Sequence, residues 1–369
     1  MKILHVITGL NDGGAEASLY RLIKETQRSV DNYVISLRST GKYSELLHEI
    51  GVQTIHLNIN HIFQVPKQSF LLYSLIKEID PDIIQTWLYH ADFLGGIFGK
   101  IARKKVFWGI HNTTLGFGKS SFLTIILVRI LSLLSYFIPE KIISCSNSST
   151  RYHIDLGYSK QKFITIHNGI DTKIFHHSTN LRKLFREELE LISNSDLCIG
   201  TVARNDPQKD YPNLISALRI LQDQQVSFKC IIAGTNTEQL LPLIKSQGLE
   251  HKVIILGPRN DIPKVMNGLD LLVLPSAYGE ACPNVLLEAM ACGVSCVSTD
   301  LGDCKYIIGE CGQVVEPRNS QRLSQAILSQ IDFLNIDRSK CCLNRVCRHF
   351  TLGKMAANYI NAWQDILSH

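Results

Sequence analysis

Residues 276–315, SAYGEACPNVLLEAMACGVSCVSTDLGDCKYIIGECGQVV, decide how this chain is read. Just before them, Leu271-Leu272-Val273-Leu274 has the unbroken apolar pattern of a strand buried on both faces. A loop over residues 275–282 follows, and Pro283 fits the first position of a helix, where its missing N–H costs nothing. That helix is apolar nearly all round, as buried helices are, yet it carries Glu288. No Lys or Arg lies on it to pair with the carboxylate, and a buried carboxylate is costly unless something hydrogen-bonds it. Glu280, eight residues earlier, stands on the loop. A ligand presenting hydroxyl groups would satisfy Glu288, and so would a hydrogen bond from the protein core.

The spacing suits a phosphorylated sugar. A helix N-terminus offers free backbone N–H groups and partial positive charge, and so binds phosphates. At about 1.5 Å per residue, Glu288 lies about 7–8 Å along the axis from Pro283, the span from a phosphate to the hydroxyls of its ribose. Glu280 on the loop would face the other side of the phosphates. The donor contacts expected here are Glu280, Ala281, Cys282, Pro283, Asn284 and Glu288.

Outward from this stretch, strand-like and helical patterns alternate along the whole chain. Residues 3–8, 33–37, 53–57, 83–87, 106–110, 142–145 and 163–166 read as strands, with helical patterns such as 15–25 and 92–102 between them. This is the βαβ signature of a parallel sheet covered on both faces. A turn signal at 166–171 and a polar stretch at 176–180 mark a domain boundary. A second alternation follows, with strands at 197–203, 228–233, 253–256, 271–274, 295–298 and 313–315, and an amphipathic helix at 352–367. The expected fold class is α/β: two doubly wound, Rossmann-like domains over 1–175 and 176–350, facing across a cleft, and a terminal helix over 351–369. Ligands of such sheets bind outside the carboxyl ends of the strands.

At 369 residues the chain is long for one domain and comfortable for two. A hydrophobic content of 45% with 19% charged residues places it among globular proteins at the apolar end. The net charge of +5 leans towards the first half, through Arg103, Lys104, Lys105, Lys119, Lys141, Arg151, Lys160 and Lys162. Such a face suits an anionic membrane surface or a phosphate-bearing substrate, or it is simply solvated. The runs are too short, and too poor in interleaved aromatics, for a nucleic-acid partner. The 11 cysteines include no CxxC pair, and many sit in apolar runs, so free thiols in a reducing cytoplasm and no structural metal are expected. The opening MKILHVITGL reads as a first strand rather than a signal peptide, because its apolar core is short. The greasy run 122–138 is short for a membrane span and interrupted by Arg129, which favours a buried or interfacial helix.

Other candidates cluster where strands end. Arg204 and Lys209 flank Asp206-Pro207, residue types suited to a helix N-cap and first position. An arginine clasps phosphate oxygens bidentately and a lysine adds a point charge; Arg204 could equally pair with Asp206 at the surface. Strand 3–8 runs into a glycine-containing loop with Gly13 and Gly14, where backbone can approach a ligand or merely turn. His111 follows strand 106–110, and Trp87, Tyr89 and His90 follow strand 83–87, positions that could line an acceptor site or close the core. Other motifs fail. Asp80-Pro81-Asp82 is a DxD triplet, but it precedes its strand. Gly95-Gly96-Ile97-Phe98-Gly99-Lys100 lacks the spacing and the Ser/Thr of a P-loop, and no GxSxG or HExxH occurs.

Together these residues resemble glycosyltransferase family 4, retaining enzymes of the GT-B fold. The resemblance is carried by Gly13-Gly14, His111, the segment Asn168-Gly169-Ile170-Asp171 with Phe175, Arg204 with Lys209, and Glu280 and Glu288 within GEACPNVLLEAMACG. It covers nearly the whole chain, and the glutamate block is its most specific part. It implies a terminal helix crossing back to the first domain. Arg204 and Lys209 would hold the donor diphosphate, Glu288 the ribose, and Glu280 the donor sugar, with His111 contacting that sugar. Arg259, in Leu256-Gly257-Pro258-Arg259, would border the nucleotide base. Many relatives have proline where Ser295 stands and an aromatic where Cys282 stands.

The resemblance further implies that a hexose or N-acetylhexosamine moves from a UDP-linked donor to a saccharide acceptor, without metal or cofactor, in cell-surface polysaccharide synthesis. The favoured acceptor is a saccharide linked to undecaprenyl lipid, with a soluble saccharide as the alternative, and the implied location is the cytoplasm, peripheral at the inner membrane face. A nucleotide-sugar epimerase of the same architecture, or a non-catalytic nucleotide-sugar-binding relative, are the alternatives.

Overall fold

Every strand pairing is parallel in the computed structural model, which describes residues 1–113, 121–191, 197–331 and 338–368. The chain divides into two units, Met1–Gly169 with Leu352–His369, and Ile170–Thr351. The terminal helix is thus part of the first unit. Lys119 lies outside the described residues.

The first unit holds strands β1 (Lys2–Ile7), β2 (Asp31–Ser36), β3 (Thr54–His56), β4 (Ile83–Trp87), β5 (Lys105–Ile110), β6 (Lys141–Ser144) and β7 (Phe163–Thr165). They lie in the order β3-β2-β1-β4-β5-β6-β7, so the winding reverses between β1 and β4. Strand side chains alternate between faces, and β1 shows the consequence. Ile3 and Ile7 pack against Leu19, Leu22 and Ile23 of the helix Gly14–Thr26 and against Met355, Tyr359 and Trp363 of the terminal helix Leu352–Leu367. Leu4 and Val6 face Leu72, Ile76 and Ala91 on the opposite side. The terminal helix is docked by a fully buried Trp363, whose Nε1 donates to Gln85 Oε1 at 3.2 Å. Truncating such a buried tryptophan costs about 3–5 kcal/mol.

The motifs rejected on sequence have structural roles. In the helix Tyr89–Ile101, a Cβ at Gly95, Gly96 or Gly99 would press into Thr86, Trp108 or Ile84, so these glycines let the helix sit close on the sheet. Asp82 accepts from Lys2 N at 2.8 Å and Asp80 pairs with Lys104. The greasy run is a helix, Phe122–Leu134, that buries Val128 and Leu131 and leaves Leu123 and Leu133 each 70% exposed. Among the described residues no helix is long and apolar enough to cross a membrane.

The second unit holds β8 (Leu197–Val202), β9 (Phe228–Ala233), β10 (Val253–Gly257), β11 (Leu271–Leu274), β12 (Ser295–Thr299) and β13 (Gly312–Val315), in the order β10-β9-β8-β11-β12-β13. Here the winding reverses between β8 and β11. One expectation fails in this unit. Cys311 and Cys341 are joined by a disulfide rather than left as thiols. Packing brings the helix Arg338–His349 against the start of β13, a proximity that a sequence separation of 30 does not announce.

Candidate active site

Ligands of a doubly wound sheet bind where the strand order reverses, outside the carboxyl ends. In the second unit that point lies between the loops leaving β8 and β11. The first loop ends in a short 3-10 turn, Pro207–Lys209, started by Asp206, whose side chain accepts from Gln208 N at 2.9 Å. Ala277 N donates to Gln208 O at 2.8 Å and ties the second loop to the first.

Across this junction Lys209 Nζ donates to Glu280 Oε1 at 2.5 Å, and Ser276 Oγ donates to the same oxygen at 2.6 Å. The side chains of Lys209 and Glu280 are only 15% and 7% exposed. Such a pair loses hydration that its mutual attraction must offset, and a second donor on the carboxylate helps it do so. The loop is braced from several directions. Gly279 has φ +79°, a left-handed conformation, and a Cβ there would lie 3.2 Å from Gln208 Nε2. At Gly302, φ +57°, a Cβ would strike the carbonyls of Glu280 and Ala281. Asp303 N donates to Ala281 O at 2.8 Å, and Thr299 Oγ1 donates to Ser276 O at 2.7 Å.

The burial expected of Glu288 is found at Glu280 instead. Glu280 on the loop is the buried acid, together with Ala281 and Cys282, whereas Glu288 is only half-buried. Pro283 is the N-cap of the helix Asn284–Ala291 rather than its first residue. Leu286, Leu287, Ala289 and Met290 turn inward, leaving Asn284, Val285 and Glu288 on one partly open strip. Residues four apart share a helix face, so Glu288 stands over Asn284 at the edge of the site.

Arg204 makes the surface contact named above as its alternative: Nε donates to Asp206 Oδ2 at 3.3 Å, and the side chain is 54% exposed. Arg259 is committed more firmly. It donates to Asp261 from Nε and Nη2 at 2.7 and 2.6 Å and to Glu188 Oε1 from Nη1 at 2.8 Å. Lys264 pairs with the same Glu188. The two carboxylates raise the guanidinium pKa, and Arg259 holds both of them below the usual carboxylate range. A free arginine edge for a base is therefore not what this position presents.

At the carboxyl edge of the first unit, Gly13 is the N-cap of the helix Gly14–Thr26, and the Glu16 carboxylate folds back over it. Gly14 has open space where a Cβ would stand. His111 follows β5 as expected. Its ring stacks on Trp87, centroids 5.0 Å apart and planes 18° from parallel, and burial pushes its pKa down to about 4. Its Nε2 is enclosed and has no hydrogen-bond partner among the described residues.

Trp87 and Tyr89 are buried, which fits the core reading of these two positions. Trp87 Nε1 donates to His5 Nδ1 at 3.2 Å, so the other nitrogen of His5 carries the proton and donates to Asn32 Oδ1 at 3.0 Å. Tyr89 Oη lies 2.8 Å from His153 Nε2, and His153 Nδ1 donates to Ser149 O at 2.8 Å. Strand β4 is central and buried on both faces, so large side chains at its end fill the layers. His90 alone of the three is exposed.

Two residues were missed on sequence. Ser276 opens the quoted stretch, four residues before Glu280, and the signal was its place at the end of a buried strand. Asp92 is fully buried in the helix Tyr89–Ile101, where desolvation raises its pKa to about 8. Thr86 Oγ1 lies 2.5 Å from Asp92 Oδ1 and 3.1 Å from Phe107 O. Asp92 Oδ1 also accepts from Gly109 N at 3.3 Å, so the Thr86 and Gly109 donors offset part of the desolvation that raises its pKa.

Comparison with known proteins follows the division into units. Residues 12–174 match the family described as Glycosyltransferase Family 4, and residues 196–332 match Glycosyl transferases group 1. The chain is 25% identical, over 100% of its length and 97% of the relative's, to the UDP-Gal:alpha-D-GlcNAc-diphosphoundecaprenol alpha-1,3-galactosyltransferase of Escherichia coli. It is 24% identical, over 85% of its length and 86% of the relative's, to the N,N'-diacetylbacillosaminyl-diphospho-undecaprenol alpha-1,3-N-acetylgalactosaminyltransferase of Campylobacter jejuni. The fold matches the crystal structure of Anabaena Alr3699/HepE in complex with UDP, with a TM-score of 0.87 at 22% identity, over 99% of this chain and 100% of that one.

Proposed function

We propose that this chain, which belongs to Glycosyltransferase Family 4 and carries a group 1 glycosyl transferase domain, moves a hexose or N-acetylhexosamine from a UDP-linked donor to a lipid-linked saccharide, with retention and without a metal. The product would enter O-antigen, capsule or exopolysaccharide. The observation that carries this reading is the cluster of Lys209, Glu280 and Ser276 at the switch point of the second unit. The names of the Escherichia coli and Campylobacter jejuni relatives, both of which act on diphospho-undecaprenol acceptors, support the lipid-linked acceptor.

Breaking a sugar–diphosphate bond requires stabilisation of the charge that develops on the leaving phosphate. One N–H of Lys209 is taken by Glu280, and an ammonium has three. The remaining donors, with the backbone N–H groups at the start of the helix Asn284–Ala291, would face the diphosphate. Arg204 would exchange its exposed contact with Asp206 for phosphate oxygens, at little cost because such surface pairs contribute only about 0–1 kcal/mol. Glu288 would accept from the ribose hydroxyls. In the chemical step the bond from the anomeric carbon to the phosphate oxygen breaks. The acceptor oxygen bonds the same face of that carbon, and its proton passes to the departing phosphate.

Peripheral attachment to the inner face of the cytoplasmic membrane belongs to the same reading. On the helix Phe122–Leu134 and just beyond it, Phe122, Leu123, Ile126, Leu133 and Phe137 are exposed on the outer side, with Arg129 among them. Lys162 Nζ is held at the Tyr136 carbonyl at 2.8 Å, close to the end of this stripe. Apolar residues with interspersed cations suit an anionic bilayer surface. The expected result is salt-sensitive co-sedimentation with phosphatidylglycerol vesicles, abolished in Leu133→Glu/Phe137→Glu; indifference to both salt and substitution would oppose it.

A panel of nucleotide sugars, scored for binding and slow hydrolysis with and without EDTA, tests the central reading. One UDP-sugar should be hydrolysed in EDTA, and the glycoside formed with acceptor should keep the donor's anomeric configuration. Inversion or loss of activity in EDTA would refute the mechanism, and conversion of the donor to its epimer without acceptor would favour an isomerase.

A further inference from the structure

The switch-point rule that locates the donor cluster has a counterpart in the first unit, whose strand order reverses between β1 and β4. Gly9 follows β1 at this point. Arg38 is carried beside it by Leu37 N donating to Ile7 O at 2.9 Å and Arg38 N donating to Thr8 O at 3.2 Å. The arginine stem lies along the glycine: a Cβ at Gly9 would stand 3.8 Å from Arg38 Cβ and Cδ. On the other side of β1, His90 is the second residue of the helix Tyr89–Ile101.

The charges at this crevice are unbalanced. Arg38 is exposed and has no carboxylate within ion-pair distance among the described residues. Asp12, in the loop after Gly9, is taken by Lys42 at 3.1 Å, and Asp92 on the His90 helix is buried against Thr86. Thr8 Oγ1, one residue before Gly9, is enclosed without a hydrogen-bond partner among the described residues. Burial first, and then the field of Arg38, lower the pKa of His90. An anion seated here would relieve that repulsion and give both side chains a partner.

We propose that Arg38 and His90 form the binding site for the diphosphate that joins the acceptor saccharide to its lipid. Arg38 supplies a planar two-pronged donor matched to phosphate oxygens, and His90 supplies a second donor from the first turn of the helix Tyr89–Ile101. The proposal rests on the lipid-linked acceptor reading above and adds the group that the first unit would grip. The anion could in principle come from the donor instead, and the test separates the two sources.

Ring proton and carbon signals of His90 are followed against pH in the whole protein, wild type and Arg38→Gln, with and without inorganic pyrophosphate. Pyrophosphate should raise the His90 pKa in the wild type. In Arg38→Gln the His90 pKa should rise without pyrophosphate, and pyrophosphate affinity should fall about tenfold or more, while Arg38→Lys should keep part of it. In steady state, Arg38→Gln should raise KM about tenfold for a short-chain diphospholipid-linked saccharide. KM for the octyl glycoside of the same saccharide and for the donor should be unchanged. A His90 signal indifferent to pyrophosphate, or a KM rise shared by the octyl glycoside or the donor, would overturn the assignment. If the wild type hydrolyses no nucleotide sugar, the transferase reading fails, and the pyrophosphate titration still decides this site.

Discussion

Lys209 Nζ and Glu280 Oε1 lie 2.5 Å apart in a nearly enclosed pair, joining two loops whose residues are 71 positions apart in sequence. The pair does two jobs that mutation can separate. It closes the junction of the loops, and it leaves a lysine with spare donors at the carboxyl edge of the second sheet.

Removing one partner of a buried pair strands the other, at about 3–5 kcal/mol, whereas replacing both with apolar residues is often neutral. Urea unfolding should therefore show a loss of that order for Lys209→Met and for Glu280→Leu. The double variant should recover most of it, and all three should lose transferase activity. Additive losses in the double variant would mean that the two side chains are not coupled.

Ser276 donates to the same carboxylate oxygen, and a hydrogen bond to a charged group is worth about 1.5–3 kcal/mol. Ser276→Ala should lower kcat about tenfold or more with KM for the donor little changed, and Ser276→Thr should restore part of it. A change confined to the melting temperature would reduce Ser276 to a packing role.

Arg204 is largely exposed and its contact with Asp206 stabilises the fold by at most about 1 kcal/mol. Arg204→Ala should therefore unfold like the wild type while losing about 10²–10³ in rate, the usual loss when a preorganised donor to developing charge is removed. Full activity in this variant would remove Arg204 from the mechanism.

The alternation of apolar strands and amphipathic helices was enough to read two parallel sheets, because a strand buried on both faces has to be apolar throughout. The strand ends were legible for the same reason, which placed Lys209, Glu280 and His111 at carboxyl edges. Which glutamate is buried was not legible. Glu280 is enclosed by the loop around Gly302 and Asp303, whose return path is set by tertiary packing, while Glu288 escapes burial because its helix turns only one face inward. Trp87 and Tyr89 could not be assigned between site and core, because a position after a strand can point into a layer as well as out of the sheet. The bond between Cys311 and Cys341 depends on the docking of a helix, not on any local spacing.

The pH dependence of stability follows from groups in the first unit. Asp92 has its pKa raised from 3.8 to about 8, so the folded state holds a proton that the unfolded chain releases. Its contribution is full below the unfolded value and is lost as pH rises through about 8. His5, His111 and His153 are lowered from 6.5 to about 4, so their contribution is present above 6.5 and is lost as pH falls through 4. Between pH 6.5 and 8 the Asp92 effect therefore acts alone among these four groups, and stability should decline across that window. Asp92→Asn should flatten the decline in denaturant titrations run from pH 6 to 9; an unchanged slope would place the proton elsewhere.

Calorimetric titration of UDP in EDTA, into the wild type and Glu288→Ala, tests the donor site most directly. The wild type should bind, and the variant should bind about 10- to 100-fold more weakly, the loss expected for hydrogen bonds from ribose to a carboxylate. Equal affinities, or a wild type that takes up no UDP, would contradict the assignment of this sheet edge to a nucleotide-sugar donor.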